Sequence, residues 1–179
     1  LLRHPLPDLA RRYPVVSDHR YAEHTREPGL ELDAAHTVLE EGGYLLVEMP
    51  APESAFGRWL GWAWGPWFQP QHQHLVPLAN LVAALERRGF AIVATQRAEA
   101  HQPVDLVFAV MLLAMRLAPA GSMPWDPPRS RWRQARRGAV FASLLPLAGA
   151  AMVGDQLLRP LVAVRPKLTN TYRVLARKT

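Results

Sequence analysis

The sequence predicts an α/β fold, in which helices cross between the strands of a mostly parallel sheet. Short β-like runs alternate with helix-like stretches along the chain, and two of these stretches end in glycine directly before a β-like run. No internal repeat interrupts this order. With 179 residues, 49% of them apolar and 20% charged, the chain has the size and composition of one globular domain.

The first crossover unit begins with a short strand. Residues 15–17 read Val-Val-Ser and follow Pro14, which is typical of a buried strand with a proline at its boundary. Apolar residues then recur every three or four positions over residues 30–39, which predicts an amphipathic helix. The glycine pair at 42–43 predicts where this helix stops.

Two further strands and a second helix follow. Residues 44–49 (Tyr-Leu-Leu-Val-Glu-Met) predict a strand that is buried on both faces apart from Glu48. Residues 78–88 carry one apolar stripe and predict a helix capped by Gly89, before a strand at residues 90–95.

The stretch between these units is aromatic and irregular. Residues 51–77 hold four tryptophans among glycines and prolines, which predicts a packed lid or pocket wall. The tryptophans either pack the core or stack on a flat acceptor molecule.

The last third of the chain has a different character. Residues 104–117 are strongly apolar, and residues 138–154 are seventeen uncharged residues. Each run falls short of the roughly 20 apolar residues that span a bilayer, so we expect buried or interfacial helices. Residues 171–176 alternate between polar and apolar side chains and predict a terminal strand.

Charge and cysteine content restrict the partners and the compartment. The net charge is +6, and most of the basic residues are arginines. Five arginines are clustered within nine residues: Arg129, Arg131, Arg133, Arg136 and Arg137. This cluster either faces solvent or contacts phosphates, so a nucleic acid or a peripheral membrane surface is a candidate partner. The chain has no cysteine, which excludes disulfides and thiolate chemistry and favours the cytoplasm, with membrane association as an alternative.

Four segments in order resemble the class I S-adenosylmethionine-dependent methyltransferases. Residues 15–17, the pair Glu23-His24 and the glycine pair before the next strand resemble strand four, the following loop and strand five of that family. Residues 70–74 (Pro-Gln-His-Gln-His) and the Gly-Phe at 89–90 resemble the next loop and strand. The terminal strand resembles the antiparallel seventh strand.

The resemblance implies a partial Rossmann-like methyltransferase sheet of strands four to seven, with flanking helices and an extra helical insertion. Residues 1–97 form its α/β core portion, residues 98–170 the apolar and Arg-rich insertion, and residues 171–177 the terminal strand. The glycine-rich cofactor turn after strand one and the acidic residue after strand two have no counterpart. We therefore expect the C-terminal part of one domain within a longer parent protein.

The resemblance also implies a function and a set of site residues. The expected activity is methyl transfer from S-adenosyl-L-methionine to an unidentified small-molecule or lipid acceptor. Ser17, Asp18 and His19 are expected near the methionine end of the cofactor. The candidate catalytic residues are His19, His24, His72 and His74. The expected acceptor pocket comprises Tyr21, Glu23, Trp67, His72 and His74.

Alternatives to these assignments remain open. Glu23 and His24 could instead cap the following helix. His72 and His74 have a spacing that can ligate a metal, but no third ligand is evident in the sequence, so we predict no metal site. The whole chain could also be a non-catalytic remnant or an interaction module that associates with membranes or nucleic acids through residues 129–137.

Overall fold

The protein is described by a computed structural model over residues 11–67, 71–98, 104–121, 126, 128 and 130–179. The strands are β1 (Tyr13–His19), β2 (Leu39–Pro50), β3 (Phe90–Ala98) and β4 (Thr171–Lys178). The helices are α1 (Pro28–Val38), α2 (Ala55–Leu60), α3 (Leu78–Glu86), α4 (Asp105–Leu117) and α5 (Arg131–Val164). Short 3₁₀ turns occur at Ala22–His24, Gly61–Ala63 and Gly65–Trp67.

The four strands form one mixed sheet with the order β1-β2-β4-β3. β1 and β2 are parallel, whereas β4 lies between β2 and β3 and is antiparallel to both. The two helix-and-strand units and the antiparallel terminal strand are therefore confirmed. In chain order, β1 to β4 correspond to the expected strands four to seven.

The hydrophobic core lies between the central strands and the helices α1 and α3. Tyr172 is fully buried, and its hydroxyl donates to the Val76 carbonyl at 2.6 Å. The other buried residues of this core include Leu32, Leu45, Val47, Met49, Leu81, Leu85, Phe90, Val174 and Ala176. Burying each leucine side chain stabilises the fold by roughly 1.5–3 kcal/mol.

The predicted boundary between the first helix and β2 is wrong. α1 ends at Val38 and β2 begins at the next residue, so the glycine pair lies inside the strand. Gly42 has a φ of 75°, and the β1–β2 register shifts at this point. A Cβ on Gly43 would lie 2.9 Å from the Glu40 carbonyl oxygen and 3.1 Å from that of Pro14. The glycines therefore permit a bulge instead of stopping a helix.

Two burial predictions for the strands are also wrong. β1 was expected to be buried, but it pairs only with β2 among the described strands, and Val15 is 58% exposed. Glu48 was expected to be the exposed position of β2, but it is only 6% exposed. Its carboxylate contacts the Arg173 guanidinium at 2.5 Å, and Arg173 is its direct partner on β4. The cross-strand cation makes burial of this carboxylate tolerable.

The insertion is helical, as predicted, and α4 and α5 form an antiparallel hairpin. The Asp155 carboxylate of α5 accepts hydrogen bonds from the backbone N–H groups of Leu106 and Val107, each at 3.1 Å. At the other end of α4, Arg136 donates to the Leu117 carbonyl at 3.0 Å. Side chains of α5 thus cap both ends of α4.

α5 is much longer and more exposed than the sequence predicts. It continues through Pro146 and Pro160 over 34 residues, and it is long and apolar enough to cross a membrane by length and composition. Almost none of its most apolar stretch is buried within the protein. Of the two alternatives expected for residues 138–154, a buried helix is therefore wrong, whereas an interfacial helix stays a prediction. Arg129 of the basic cluster lies outside the described residues.

The aromatic segment supports the hairpin. Trp64 is fully buried, and its indole N–H donates to the Asp105 carboxylate at 2.8 Å. The Arg116 guanidinium lies 4.5 Å from the ring centre of Trp62, which is itself exposed. Core packing is thus confirmed for Trp64, whereas Trp59, Trp62 and Trp67 are largely exposed.

Candidate functional site

The candidate site begins at the carboxyl end of β1, in a tight turn. Arg20 has a φ of 57°, a left-handed conformation that is uncommon for a non-glycine residue, and its N–H donates to the Glu48 carbonyl at 3.0 Å. The Asp18 carboxylate accepts from the Tyr21 N–H at 3.0 Å. Burial raises the pKa of Asp18, and backbone hydrogen bonds oppose that rise. The Asp18 side chain therefore helps to hold this turn.

The 3₁₀ turn at Ala22–His24 binds the loop of residues 71–74. The Glu23 carbonyl accepts from the backbone N–H groups of Gln73 at 2.7 Å and His74 at 3.2 Å. In return, His24 Nδ1 donates to the Gln71 carbonyl at 2.9 Å. Two segments about fifty residues apart in sequence are thus joined at the end of β1.

This contact brings two of the predicted histidines together. The rings of His24 and His72 have their centres 4.6 Å apart in an edge-to-face arrangement. His72 Nδ1 donates to the Pro66 carbonyl at 2.6 Å, and His74 Nε2 donates to the Arg26 carbonyl at 2.9 Å. A neutral imidazole that donates from one nitrogen keeps its lone pair on the other. In the neutral form of each ring, the nitrogen that does not donate to these carbonyls is Nε2 in His24 and His72, and Nδ1 in His74.

Burial sets the protonation state of His72. Desolvation lowers its pKa, and the hydrogen bond to Pro66 opposes that change. Because the ordinary pKa of histidine is about 6.5, the His72 ring is neutral at pH 7 and can accept a proton.

Glu23 is the most unusual group in the site. Its side chain is 0% exposed, and its carboxylate oxygens accept no hydrogen bond from another residue in the described part of the chain. The Arg20 Nε lies 3.8 Å from Glu23 Oε1. Burial raises the pKa of Glu23. The alternative that Glu23 and His24 cap the following helix is wrong, because the N-cap of α1 is Glu27 and no side chain caps it.

Glu23, His24 and His72 also have the composition of a metal-ligand set. One ligand atom from each lies within 4.8 Å of the others. Two imidazoles and a carboxylate suit a divalent transition metal such as zinc. The Arg20 cation beside the carboxylate opposes such an ion electrostatically, and the absence of a metal site stays a prediction.

The remaining predicted residues lie around this cluster. Ser17 and His19 are exposed at the end of β1, and Tyr21 is exposed in the turn that follows. Trp67 is 41% exposed and adjoins Pro66, whose carbonyl binds His72. Arg20 was not among the predicted site residues; the signal for it in the sequence was a cation three residues before Glu23, directly after a strand.

Comparison with known proteins decides the family. A family model described as a methyltransferase domain matches residues 3–95, which is more than half of the chain. The chain belongs to the methyltransferase domain family. No curated protein sequence matches this methyltransferase chain.

Several solved structures are similar to the methyltransferase chain at low sequence identity. A SAM-dependent methyltransferase from Archaeoglobus fulgidus is 15% identical with a TM-score of 0.48, over 94% of this chain and 60% of that one. The cyclopropane synthase MmaA2 from Mycobacterium tuberculosis is 13% identical with a TM-score of 0.49, over 94% and 56%. The cyclase SpnF is 14% identical with a TM-score of 0.48, over 94% and 50%. The chain thus spans about half to two thirds of the length of these proteins.

S-adenosyl-L-methionine is the cofactor of this methyltransferase family, and the position of Ser17, Asp18 and His19 near its methionine end stays a prediction. Ser17 and His19 are available at the end of β1, but the Asp18 carboxylate is bound to the Tyr21 N–H. Neither a glycine-rich turn after a strand nor a strand-ending acid precedes β1 in the sequence. The residues present therefore do not complete a cofactor site.

Proposed function

We propose that this methyltransferase chain is the acceptor-side part of a longer enzyme that methylates a small-molecule or lipid acceptor. The observation that carries the proposal is the binding of residues 71–74 to the turn at residues 22–24, which gathers Glu23, His24 and His72 beyond the end of β1. Ligands of open α/β sheets bind in this position, beyond the carboxyl ends of the strands.

The chemistry required of these residues is modest. S-adenosyl-L-methionine supplies a methyl group that is already activated, so positioning provides most of the rate. The chain's own part is to hold the acceptor and to take a proton from it where the acceptor carries one. His72 suits that role, because its ring is neutral at pH 7 and its orientation is set by the Pro66 carbonyl.

The exposed edge of the sheet supports the proposal that the chain is part of a longer enzyme. Among the strands that the structure describes, β1 has a parallel neighbour on one side only, and parallel strands are normally covered on both faces by crossover helices. Val15 in this strand is instead 58% exposed. Additional strands beside β1 would cover this edge and provide the cofactor turn.

Calorimetric titration with S-adenosyl-L-methionine tests whether cofactor binding requires sequence beyond residues 1–179. The chain of residues 1–179 should show no saturable binding, whereas a protein that also includes the sequence encoded upstream should bind one equivalent. Binding to the short chain alone would contradict the incomplete site. Absence of binding to the longer protein would instead favour a non-catalytic interaction module.

The proton-accepting role of His72 has its own test in the longer protein. Transfer of a labelled methyl group to acceptors in fractionated extract should fall by roughly 10²–10⁴-fold in His72→Gln, with unchanged cofactor affinity. His36→Gln is the matched control, because His36 of α1 is also half-buried but packs against Phe90 of β3. Equal losses in both variants, or a loss of cofactor affinity in His72→Gln, would exclude this role.

A further inference from the structure

The outer surface of α5 is apolar and open to solvent. Leu145 is 66% exposed, Met152 56% and Leu157 73%. Further large apolar residues that are exposed on this helix are Trp132, Leu147, Val153, Leu161 and Val164. So many exposed large apolar side chains on one helix are uncommon on a soluble monomer and indicate a surface that other apolar groups cover.

The one charged group within this apolar stretch is shielded. Between Arg137 and Arg159 the only charged residue is Asp155, which is 2% exposed and caps the N-terminus of α4. Ionisable residues of membrane helices likewise face a neighbouring helix and bind backbone groups there. No charge of this stretch therefore opposes contact with lipid.

The length of the uncharged surface matches a bilayer. The 21 residues between these two arginines measure about 32 Å along a helix, close to the roughly 30 Å of a hydrocarbon core. Pro146 and Pro160 lie inside this helix, and proline is more frequent in membrane helices than in soluble ones.

The two ends of α5 are basic and one is aromatic. Arg131 and Arg133 are exposed at the N-terminal end, close to Trp132, which is 77% exposed. Arg159 and Arg165 lie near the C-terminal end. Arginine and tryptophan at the ends of an apolar helix suit the headgroup region of an anionic membrane.

We propose that α5 is embedded in a lipid bilayer, with its outer face against acyl chains and its basic ends at anionic headgroups. A second protein surface could cover the apolar face of α5. It would not account for the cations at both ends of the helix, or for the agreement in length between its uncharged stretch and a hydrocarbon core. This assignment goes beyond the methyl-transfer function and does not rest on it.

Membrane fractionation of the full chain tests embedding. The chain should stay with the membrane after washes in high salt and in alkaline carbonate, and only detergent should release it. In the double variant Leu145→Gln and Met152→Gln, membrane retention should fall at least about tenfold, because two exposed side chains seven residues apart share one helix stripe. Leu30→Gln, at a leucine of α1 that is 60% exposed, is the control and should change nothing.

Vesicle binding tests the basic end. Affinity should be higher for phosphatidylcholine vesicles that contain phosphatidylglycerol than for phosphatidylcholine alone. Replacing Arg131 and Arg133 by glutamine should reduce that affinity about fivefold for each arginine, with Arg87→Gln as an exposed control.

Three results would overturn the proposal. A chain that stays soluble and monomeric without lipid or detergent would show that α5 does not require a bilayer. Release by salt alone would show surface attraction without embedding. A stable dimer that buries Leu145 and forms without lipid would identify a second copy as the occupant. Cofactor titration is unaffected by each of these outcomes, so the two proposals can fail separately.

Discussion

The sheet and the α4–α5 hairpin both contain apolar runs in sequence, yet they differ in what covers their apolar side chains. In β2, Leu45 and Val47 are at most 1% exposed, because neighbouring strands and helices enclose them. In α5, Leu145 and Leu157 are 66% and 73% exposed, because α4 covers only one side. An apolar sequence thus predicts that a surface is covered, but it does not identify the groups that cover it.

The two regions also treat buried charge differently. In the sheet, Glu48 is paired with the guanidinium of Arg173 on the adjacent strand. In the hairpin, Asp155 is paired with the N-terminal amides of α4. Glu23 at the candidate site has neither kind of partner at close range, and a buried charge left in that state is typical of functional positions.

The same substitution in the two regions gives the largest expected difference. Leu85→Ala removes a fully buried side chain and should lower the free energy of unfolding of the sheet by about 2–5 kcal/mol. Leu157→Ala should change it by less than about 0.5 kcal/mol. Hydrogen exchange of the β4 amides in mild detergent measures both. Equal losses of unfolding free energy in the two variants would contradict the difference between the enclosed sheet and the uncovered helix.

Removing a cation from the sheet gives the second largest expected effect on the free energy of unfolding. Arg173→Met leaves the Glu48 carboxylate buried without its partner and should cost about 1–3 kcal/mol of unfolding free energy. Arg88→Met is the control, because its partner Asp33 is half exposed and the loss should stay within about 1 kcal/mol. Urea unfolding of both variants decides whether burial of the carboxylate sets the cost.

The matching change in the hairpin concerns Asp155. Asp155→Ala removes the acceptor for the Leu106 and Val107 amides and should cost about 1–2 kcal/mol, a factor of about 5 to 30 in local opening. Hydrogen exchange at these two amides should accelerate by that factor, while exchange in β4 stays unchanged. Acceleration in β4 as well would show that the hairpin and the sheet unfold as one unit.

The smallest effect is a dependence on pH at Glu23. Because burial raises its pKa, the folded chain keeps the proton to higher pH than the unfolded chain, so its contribution to stability is lost as pH rises through the folded pKa. Glu23→Gln should therefore be more stable than the original chain by about 1 kcal/mol at neutral pH. The difference should vanish below the ordinary glutamate pKa of about 4.3. Urea unfolding across this pH range measures the difference in unfolding free energy between the two chains. A difference that does not change with pH would contradict the raised pKa of Glu23.

Much of the candidate site could be named from the sequence, but its arrangement could not. Glu23, His24 and His72 were all singled out by their motifs, and the structure places them together. Their contact depends on the Glu23 carbonyl accepting from Gln73 and His74, a pairing about fifty residues apart that no local pattern encodes. Arg20 was missed for a different reason: it lies only three residues before Glu23, but its relevance depends on the turn that brings it near the Glu23 carboxylate.

The sequence by itself determined the order of the main strands and helices, because hydrophobic periodicity acts over a few residues. The antiparallel direction of the terminal strand was implied only by the resemblance to the methyltransferase family. Tertiary structure alone decided which charges are buried and which apolar surface stays open. Glu48 is buried because β4 places Arg173 opposite it, and α5 is uncovered because the described part of the chain provides only α4 against it. These outcomes depend on neighbours that are distant in sequence.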